Sequence, residues 1–207
     1  MQPAVSTSQN ATRERILDAA ASVMRTQGLS KATTKAIAAE AGYSEALLYK
    51  HFADRDEIYL GVLRERATRF DDPDELVGTR HVADNLVDLC IPLMQFYVDS
   101  LPTTASVFGS PELLTAWRDG LTAKTGGPRS PVRSLERYLD AEITLGRVPR
   151  DVDTAAVAAL LCGAAFQAAY FACFDGLESV PDDEALAVRM VTSLGYTSPS
   201  VQPLLLR

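Results

Sequence analysis

The stretch 33-TTKAIAAEAGYSEALLYKHF-52 decides how this chain folds. Ile37, Ala38 and Ala41 fall on one side of a helix, and Gly42 interrupts it where a tight turn wants a residue that tolerates positive φ. Ser44 is a good cap for a following helix from Glu45 to His51, and Glu45 places a carboxylate at the positive end of its dipole. Leu48 and Phe52, four apart, pack inward, which leaves Glu45, Ala46, Tyr49 and Lys50 outward. Two short helices across a Gly-Tyr-Ser turn, the second one polar, form the outline of a helix-turn-helix.

On the N-terminal side, residues 1–10 are polar and without period, and a flexible arm is expected. From Thr12, the residues Ile16, Leu17, Ala20, Val23 and Met24 recur at helical spacing, with Gly28 as the stop. On the C-terminal side, Asp54 and Glu57 resemble a capping box at the head of a helix through Ile58, Val62 and Leu63 to about Arg69. The cluster 71-DDPD-74 breaks it. Val82, Leu86, Leu89, Leu93 and Phe96 then trace a helix in which Pro92 removes a backbone donor and is expected to bend the axis. Ser110-Pro111-Glu112 starts another, with Leu113, Leu114 and Trp117, and 124-KTGGPRSP-131 is a breaker-rich loop.

Ser130-Pro131 repeats the start signal before Leu135, Tyr138, Leu139 and Ile143, with Gly146 as the stop. Asp153 caps the most apolar helix, Thr154 to about Phe174, which Gly176 ends. Being apolar almost all round, it must be covered on several sides. Its small residues, among them Ala155, Ala156, Ala159 and Gly163, suit either a dimer seam or the buried central helix of one subunit. Pro181-Asp182-Asp183 opens a last amphipathic helix through Leu186, Met190, Val191 and Leu194 to Gly195, and the tail 197-TSPSVQPLLLR-207 is apolar enough to pack. No convincing strand interrupts this, so the expected class is all-α. The expected division is an arm at 1–10, a three-helix helix-turn-helix domain at 11–57 and a helical bundle at 58–207.

With 207 residues, 47% hydrophobic and 23% charged, the chain can bury a sizeable core. No run of about 18 apolar residues lacks a charged or polar break, and the N-terminus has neither a basic flank nor an apolar signal core, so cytoplasmic residence is expected. Cys90, Cys162 and Cys173 stand singly in apolar surroundings without metal-ligand spacing and read as plain buried thiols. The formal charge of −7 is uneven: residues 1–70 hold 10 Lys/Arg against 8 Asp/Glu, a balance of +2, and residues 71–207 hold 10 against 19, a balance of −9. An acidic body with a mildly basic N-terminal unit suits a protein that presents one end to DNA.

The segment from Ile16 to Leu60, with its first helix ending at Gly28, the run TTKAIAAEAGYS and then LLYKHFADRDEIY, resembles the DNA-binding domain of the TetR family of transcriptional regulators. The resemblance covers about a quarter of the chain; beyond it, only the 144-TLGRVPRDVD-153 approach to the penultimate helix and that helix's small residues are similar. It implies a sequence-specific regulator, a repressor released from double-stranded operator DNA by a small-molecule ligand in the C-terminal domain. It also implies a homodimer through the helices at about 154–175 and 182–194. Carried residue by residue, Thr34, Tyr43, Tyr49, His51 and Arg55 are the implied phosphate contacts, and Ser44, Glu45, Ala46, Leu47 and Lys50 the implied neighbours of base edges. Glu45 and Ala46 depart from the Lys-Gly of many relatives: the carboxylate either accepts from a cytosine amino group or serves the helix dipole. Leu47, where a small polar residue is common, offers only apolar contact.

For the effector, Gln95, Phe96, Trp117, Phe166, Gln167 and Tyr170 are candidates, although helical spacing alone also explains the aromatics as core. No cofactor and no metal site is expected, since neither His51 nor His81 has a second ligand at the right spacing. Two other classes compete. A helical enzyme is disfavoured by the lack of a GxSxG motif, of paired carboxylates beside a plausible pocket and of a metal cluster. A protein-binding module would use the same helix pair without the steep salt dependence of DNA binding.

Overall fold

The computed structural model describes residues 4–66, 70, 73–121, 127–197 and 199, with side chains from Asn10 onward. The described residues form nine α-helices and no strand. In chain order these are α1 (Ala4–Gln27), α2 (Thr34–Ala41), α3 (Glu45–His51), α4 (Arg55–Glu65), α5 (Val82–Phe108), α6 (Pro111–Gly120), α7 (Ser130–Thr144), α8 (Thr154–Phe174) and α9 (Asp183–Ser193). Short 3-10 turns occur at Leu29–Lys31 and Pro73–Leu76.

Most starts follow the expected chemistry. Asp153 Oδ1 accepts from Ala156 N at 2.9 Å ahead of α8 and Ser110 Oγ from Leu113 N at 3.4 Å ahead of α6, while Thr33, not singled out in the sequence, accepts from Ala36 N at 3.1 Å ahead of α2. At α4, Asp54 Oδ1 accepts from Glu57 N at 2.8 Å while Glu57 Oε2 accepts from Ala53 N at 2.5 Å, a reciprocal cap shifted by one residue from the usual box. Ser44, Arg129 and Asp182 are exceptions, preceding α3, α7 and α9 without any side-chain cap bond.

Four boundaries differ from the sequence expectation. Residues 4–10, expected as an arm, are the first turns of α1; they carry no apolar stripe, so periodicity could not register them. α4 stops at Glu65 rather than near Arg69, and residues 67–69 lie outside the described set. α7 takes Ser130 as its first helical residue rather than as its cap. α5 does not end near Phe96 but runs through Pro92 and Pro102 to Phe108. Both prolines are exposed, so the carbonyl that Pro92 leaves without a donor can face water. The carbonyl of Val98, four before Pro102, accepts instead from Cys173 Sγ at 3.6 Å. The tail from 200 to 207 lies outside the described residues.

Contacts divide the chain into two units, and not at 57/58. Unit 1 holds α1 to α4, the end of α5 from Pro102, and α6; unit 2 holds α5 up to Leu101 with α7, α8 and α9. In unit 1 the apolar stripe of α1 (Ile16, Leu17, Ala20, Val23, Met24) meets Ile37, Leu48, Phe52, Ile58, Tyr59 and Val62, and Val107, Leu113 and Trp117 join the same cluster. Polar clamps close its edge. Arg13 donates to both carboxylate oxygens of Glu65 at 2.7 and 2.6 Å, Arg66 Nε donates to Asp18 at 2.6 Å and Arg66 also pairs with Glu14. The buried Tyr59 hydroxyl donates to the Ala32 carbonyl at 2.6 Å, fixing α4 to the turn before α2.

In unit 2, Leu86, Cys90 and Leu93 of α5 pack with Leu135, Tyr138 and Leu139 of α7, Ala158, Leu161, Ala165 and Ala169 of α8, and Val188 and Val191 of α9. A buried polar set holds the turn ahead of α5. Asn85 Nδ2 donates to the Leu76 carbonyl at 3.1 Å and to Tyr138 Oη at 3.0 Å, and the fully buried Glu142 accepts from Gly78 N at 2.9 Å. Arg147 Nε lies 3.0 Å from the other Glu142 oxygen, an ion pair whose angle is poor for a hydrogen bond. The cysteines are unpaired, and burial pushes the thiols of Cys90 up to about 12 and Cys162 up to about 11. Cys173, expected to be buried, is only partly so.

The Arg13 clamp carries a pH signature. Its hydrogen bonds hold the Glu65 carboxyl below the ordinary 4.5, more than offsetting the opposing effect of burial. A lowered folded-state value stabilises the fold above the unfolded value and ceases to do so as pH falls through the folded one. Glu65→Gln should therefore lower the thermal midpoint modestly at neutral pH, because the pair is about one-third exposed. The gap from the wild type should close as pH drops below 4.5, which melting curves across that range would show.

Candidate nucleic-acid interface

The interface begins with how a seven-residue helix is held. α2 closes on Gly42 at φ 73°, with Gly42 N on the Ala39 carbonyl at 3.2 Å and Tyr43 N on the Ala38 carbonyl at 2.9 Å. The chain then reverses into α3. Leu48 is fully buried and Phe52 is 3% exposed, so one side of α3 is seated in the unit 1 core. Ala46 and Lys50, four apart, lie on the side opposite Leu48, with Glu45 and Tyr49 along its flank, and all four are exposed. Tyr49 leaves 53% of its surface open, an unusual display for a large aromatic away from any core.

The remaining sequence candidates surround this face. Ser44 is exposed beside it, and Leu47 and His51 are half-buried at its edges. Thr34, first residue of α2, donates its hydroxyl to Glu45 Oε2 at 2.8 Å, so the starts of α2 and α3 are joined through side chains. Tyr43 is half-buried in the turn. Arg55 is about half exposed, with its guanidinium 5.3 Å from the Tyr59 ring centre and Nε 3.6 Å from Asp56. All ten residues named from the sequence thus lie in unit 1, at or next to the α2–α3 turn and the start of α4.

Sequence reasoning missed Arg15. From α1 its guanidinium lies 5.6 Å from the Tyr43 ring centre, and its terminal nitrogen is 3.8 Å from where a side chain on Gly42 would begin. Arg13 and Arg66 are committed to carboxylates, whereas Arg15 is exposed and held by an aromatic face. Two residues from Arg13 in sequence, nothing distinguished it; only the packing of α1 against the turn does.

The six effector candidates divide between the units: Trp117 is buried in unit 1, and the other five belong to unit 2. Gln95 Nε2 is bonded to Asp99 at 2.9 Å and to the Glu178 carbonyl at 3.2 Å. Phe96 packs edge-on against Phe70 and Tyr97, and Tyr97 meets Phe166 at 5.4 Å. Phe166, Gln167 and Tyr170 lie on the exposed side of α8. A cavity of about 650 Å³ opens elsewhere in unit 2, lined by Arg80, His81, Val82, Arg147, Val157 and Tyr196 among others. Its two guanidiniums are balanced by Asp88 and Glu142. Among the described residues no His, Cys, Asp or Glu cluster could hold a metal ion.

A seven-residue helix displayed on a three-helix core, across a glycine turn from its partner, defines a helix-turn-helix domain. Residues 16–62 match the family model of bacterial regulatory proteins, tetR family. Residues 16–62 thus form a DNA-binding-type domain of the kind that the tetR family model describes. No curated protein matches the sequence. Solved structures similar over the whole fold include a chain described as a TetR-family transcriptional regulator of Mesorhizobium loti, at 20% identity over 95% of this chain and 96% of that one, TM-score 0.70. FadR of Bacillus subtilis in complex with stearoyl-CoA is similar at 17% identity over 87% and 96%, TM-score 0.61. SmeT, the repressor of the Stenotrophomonas maltophilia multidrug efflux pump SmeDEF, is similar at 22% identity over 93% and 94%, TM-score 0.58, and is also known in complex with triclosan.

The seating of α3 is testable apart from any ligand. Leu48→Ala removes a fully buried side chain and should cost about 2 to 5 kcal/mol, whereas Ala46→Ser, on the exposed side, should stay within about 0.5 kcal/mol of the wild type. Chemical denaturation of both variants checks the difference.

Proposed function

We propose that the protein is a sequence-specific DNA-binding regulator that acts as a homodimer in the cytoplasm, a repressor that leaves its operator when a small molecule binds unit 2. The observation that carries this is the outward set Glu45, Ala46, Tyr49 and Lys50 on a helix clamped by Leu48 and Phe52, within a tetR-family domain. A helix presented in this way fits a major groove, with Tyr49, Lys50, Arg55, Thr34, Tyr43 and His51 toward phosphates and Ser44, Glu45, Ala46, Leu47 and Lys50 toward base edges. Selection from random duplexes should return an inverted repeat with half-sites about 34 to 36 Å apart or a multiple of that. Replacing Tyr49 and Lys50 together by Ala should weaken binding to it at least about tenfold and flatten the log–log salt slope by about 0.9 for the lost cation. A wild-type protein with no preferred sequence would end the proposal.

The second copy has a surface to occupy. Leu160, Phe166, Tyr170, Phe171 and Phe174 stand exposed on one side of α8, with Phe174 at 79%, while Ala158, Leu161, Ala165 and Ala169 face the unit 2 core. α8 is long and apolar enough to cross a bilayer by length and composition. One of its stripes is already used by the unit 2 core, and the aromatic stripe is of the kind that homodimer interfaces cover. A matching patch from a twofold-related α8, with α9 beside it, covers it with itself. Phe166→Glu should shift the species seen by light scattering from dimer to monomer, weakening association by about 2 kcal/mol or more. Retention of the dimer would remove α8 from the interface.

Stearoyl-CoA in FadR and triclosan in SmeT are the ligands of two similar folds, and both suggest an effector with an apolar body. The cavity beside Arg80 and Arg147 is of a size that takes a small molecule. Such a ligand changes DNA affinity only by as much as it binds the two states of the dimer unequally.

A further inference from the structure

Glu45 holds a position that a DNA-binding face ordinarily gives to a cation or a neutral donor. It is exposed, it is the only acid in the first turn of α3, and α2 has none in its own first turn. Its Oε2 accepts the Thr34 hydroxyl at 2.8 Å, so the side chain that would greet a phosphate at the start of α2 is already engaged by a carboxylate. No Lys or Arg forms an ion pair with Glu45 among the described residues; Lys35 and Lys50 are exposed, and Arg55 pairs with Asp56. Apart from the α3 dipole, no cation offsets the negative charge where the duplex must arrive.

We infer that Glu45 sets specificity by repulsion, admitting the phosphate backbone at Thr34 only where the base pair beneath α3 offers the displaced carboxylate a donor. This rests on the DNA-binding reading above. For Thr34 to bond a phosphate its hydroxyl must leave Glu45, and the freed carboxylate then faces a second anion within a few ångströms. Like charges about 4 Å apart raise the dissociation constant roughly fivefold even at the dielectric of water, and more beside protein. An unrelated duplex has nothing to return. A cytosine in the major groove has an exocyclic amino group that donates to a carboxylate, so at a site with cytosine in that position the lost Thr34 bond is replaced and the charge is satisfied. Discrimination then comes from penalising wrong sequences as well as rewarding the right one.

Two substitutions separate this from a structural role. Glu45→Gln keeps an oxygen for Thr34 but loses the charge, and Glu45→Ala loses both. Binding of each full-length variant is measured on the selected duplex and on a scrambled one at the same salt, with melting midpoints confirming the fold. Both variants should bind the scrambled duplex about five- to tenfold more tightly than the wild type, bind the selected duplex no more tightly, and lose preference for cytosine at a single position. Unchanged affinity for the scrambled duplex, or a parallel change on both duplexes, overturns the inference while leaving DNA binding intact. If the wild type itself shows no preferred duplex, the regulator reading falls and this inference falls with it.

Discussion

The display of α3 depends on the insertion of Leu48 and Phe52 into the unit 1 core. Seven residues are too few for a helix to persist in water on its own, since the cost of the first turn is spread over hardly two turns. The stability of α3 must come from burial, and burial fixes which of its sides is left open. With Leu48 and Phe52 inside, Ala46 and Lys50 face outward, and Glu45 and Tyr49 stand exposed along the flank of that side. The candidate interface is thus a by-product of the core, and any side chain on that face can vary without disturbing the fold that presents it.

The same logic explains why charge clamps cluster on α1 and α4. Those helices form the floor on which α3 rests, and both are joined by Arg13 to Glu65 and by Arg66 to Asp18 and Glu14. These pairs are partly exposed and contribute little each. Their effect is on register: they hold the floor in the one alignment that leaves Tyr59 on the Ala32 carbonyl and Arg15 on the Tyr43 ring. Arg15 is left over from this pairing, a cation kept near the turn by a ring instead of an acid.

Much of this was legible in the residues. Helix starts with an Asp cap or a Ser-Pro pair, the glycine turn and the inward pair of α3 are local chemistry, and a local pattern suffices to place them. What was not legible is non-local. The polar first turns of α1 have no stripe to announce them. α5 continues through Pro92 and Pro102 because one freed carbonyl lies on an exposed side and the other meets Cys173, a partner 75 positions away. Ser44, the best cap by residue type, makes no cap bond, while Glu45 does something a propensity table cannot show by reaching across the turn to Thr34. The aromatics were grouped by type, yet Trp117 of α6 belongs to the unit 1 core whereas Phe166 and Tyr170 are on the exposed side of α8.

α8 shows why composition alone left two roles open for it. Small residues permit close backbone approach on any side, so Ala and Gly cannot by themselves say which neighbour comes close. The structure divides them: Ala158, Ala165, Ala169 and Ala172 face the core of their own unit, while Ala155, Ala156, Ala159 and Gly163 continue the exposed aromatic stripe toward the start of the helix. A helix with one apolar side buried and another open fits the central-helix reading on the buried stripe, and leaves the open stripe for the seam of the proposed dimer. The two readings therefore do not exclude each other, since each has its own side of the same 21 residues.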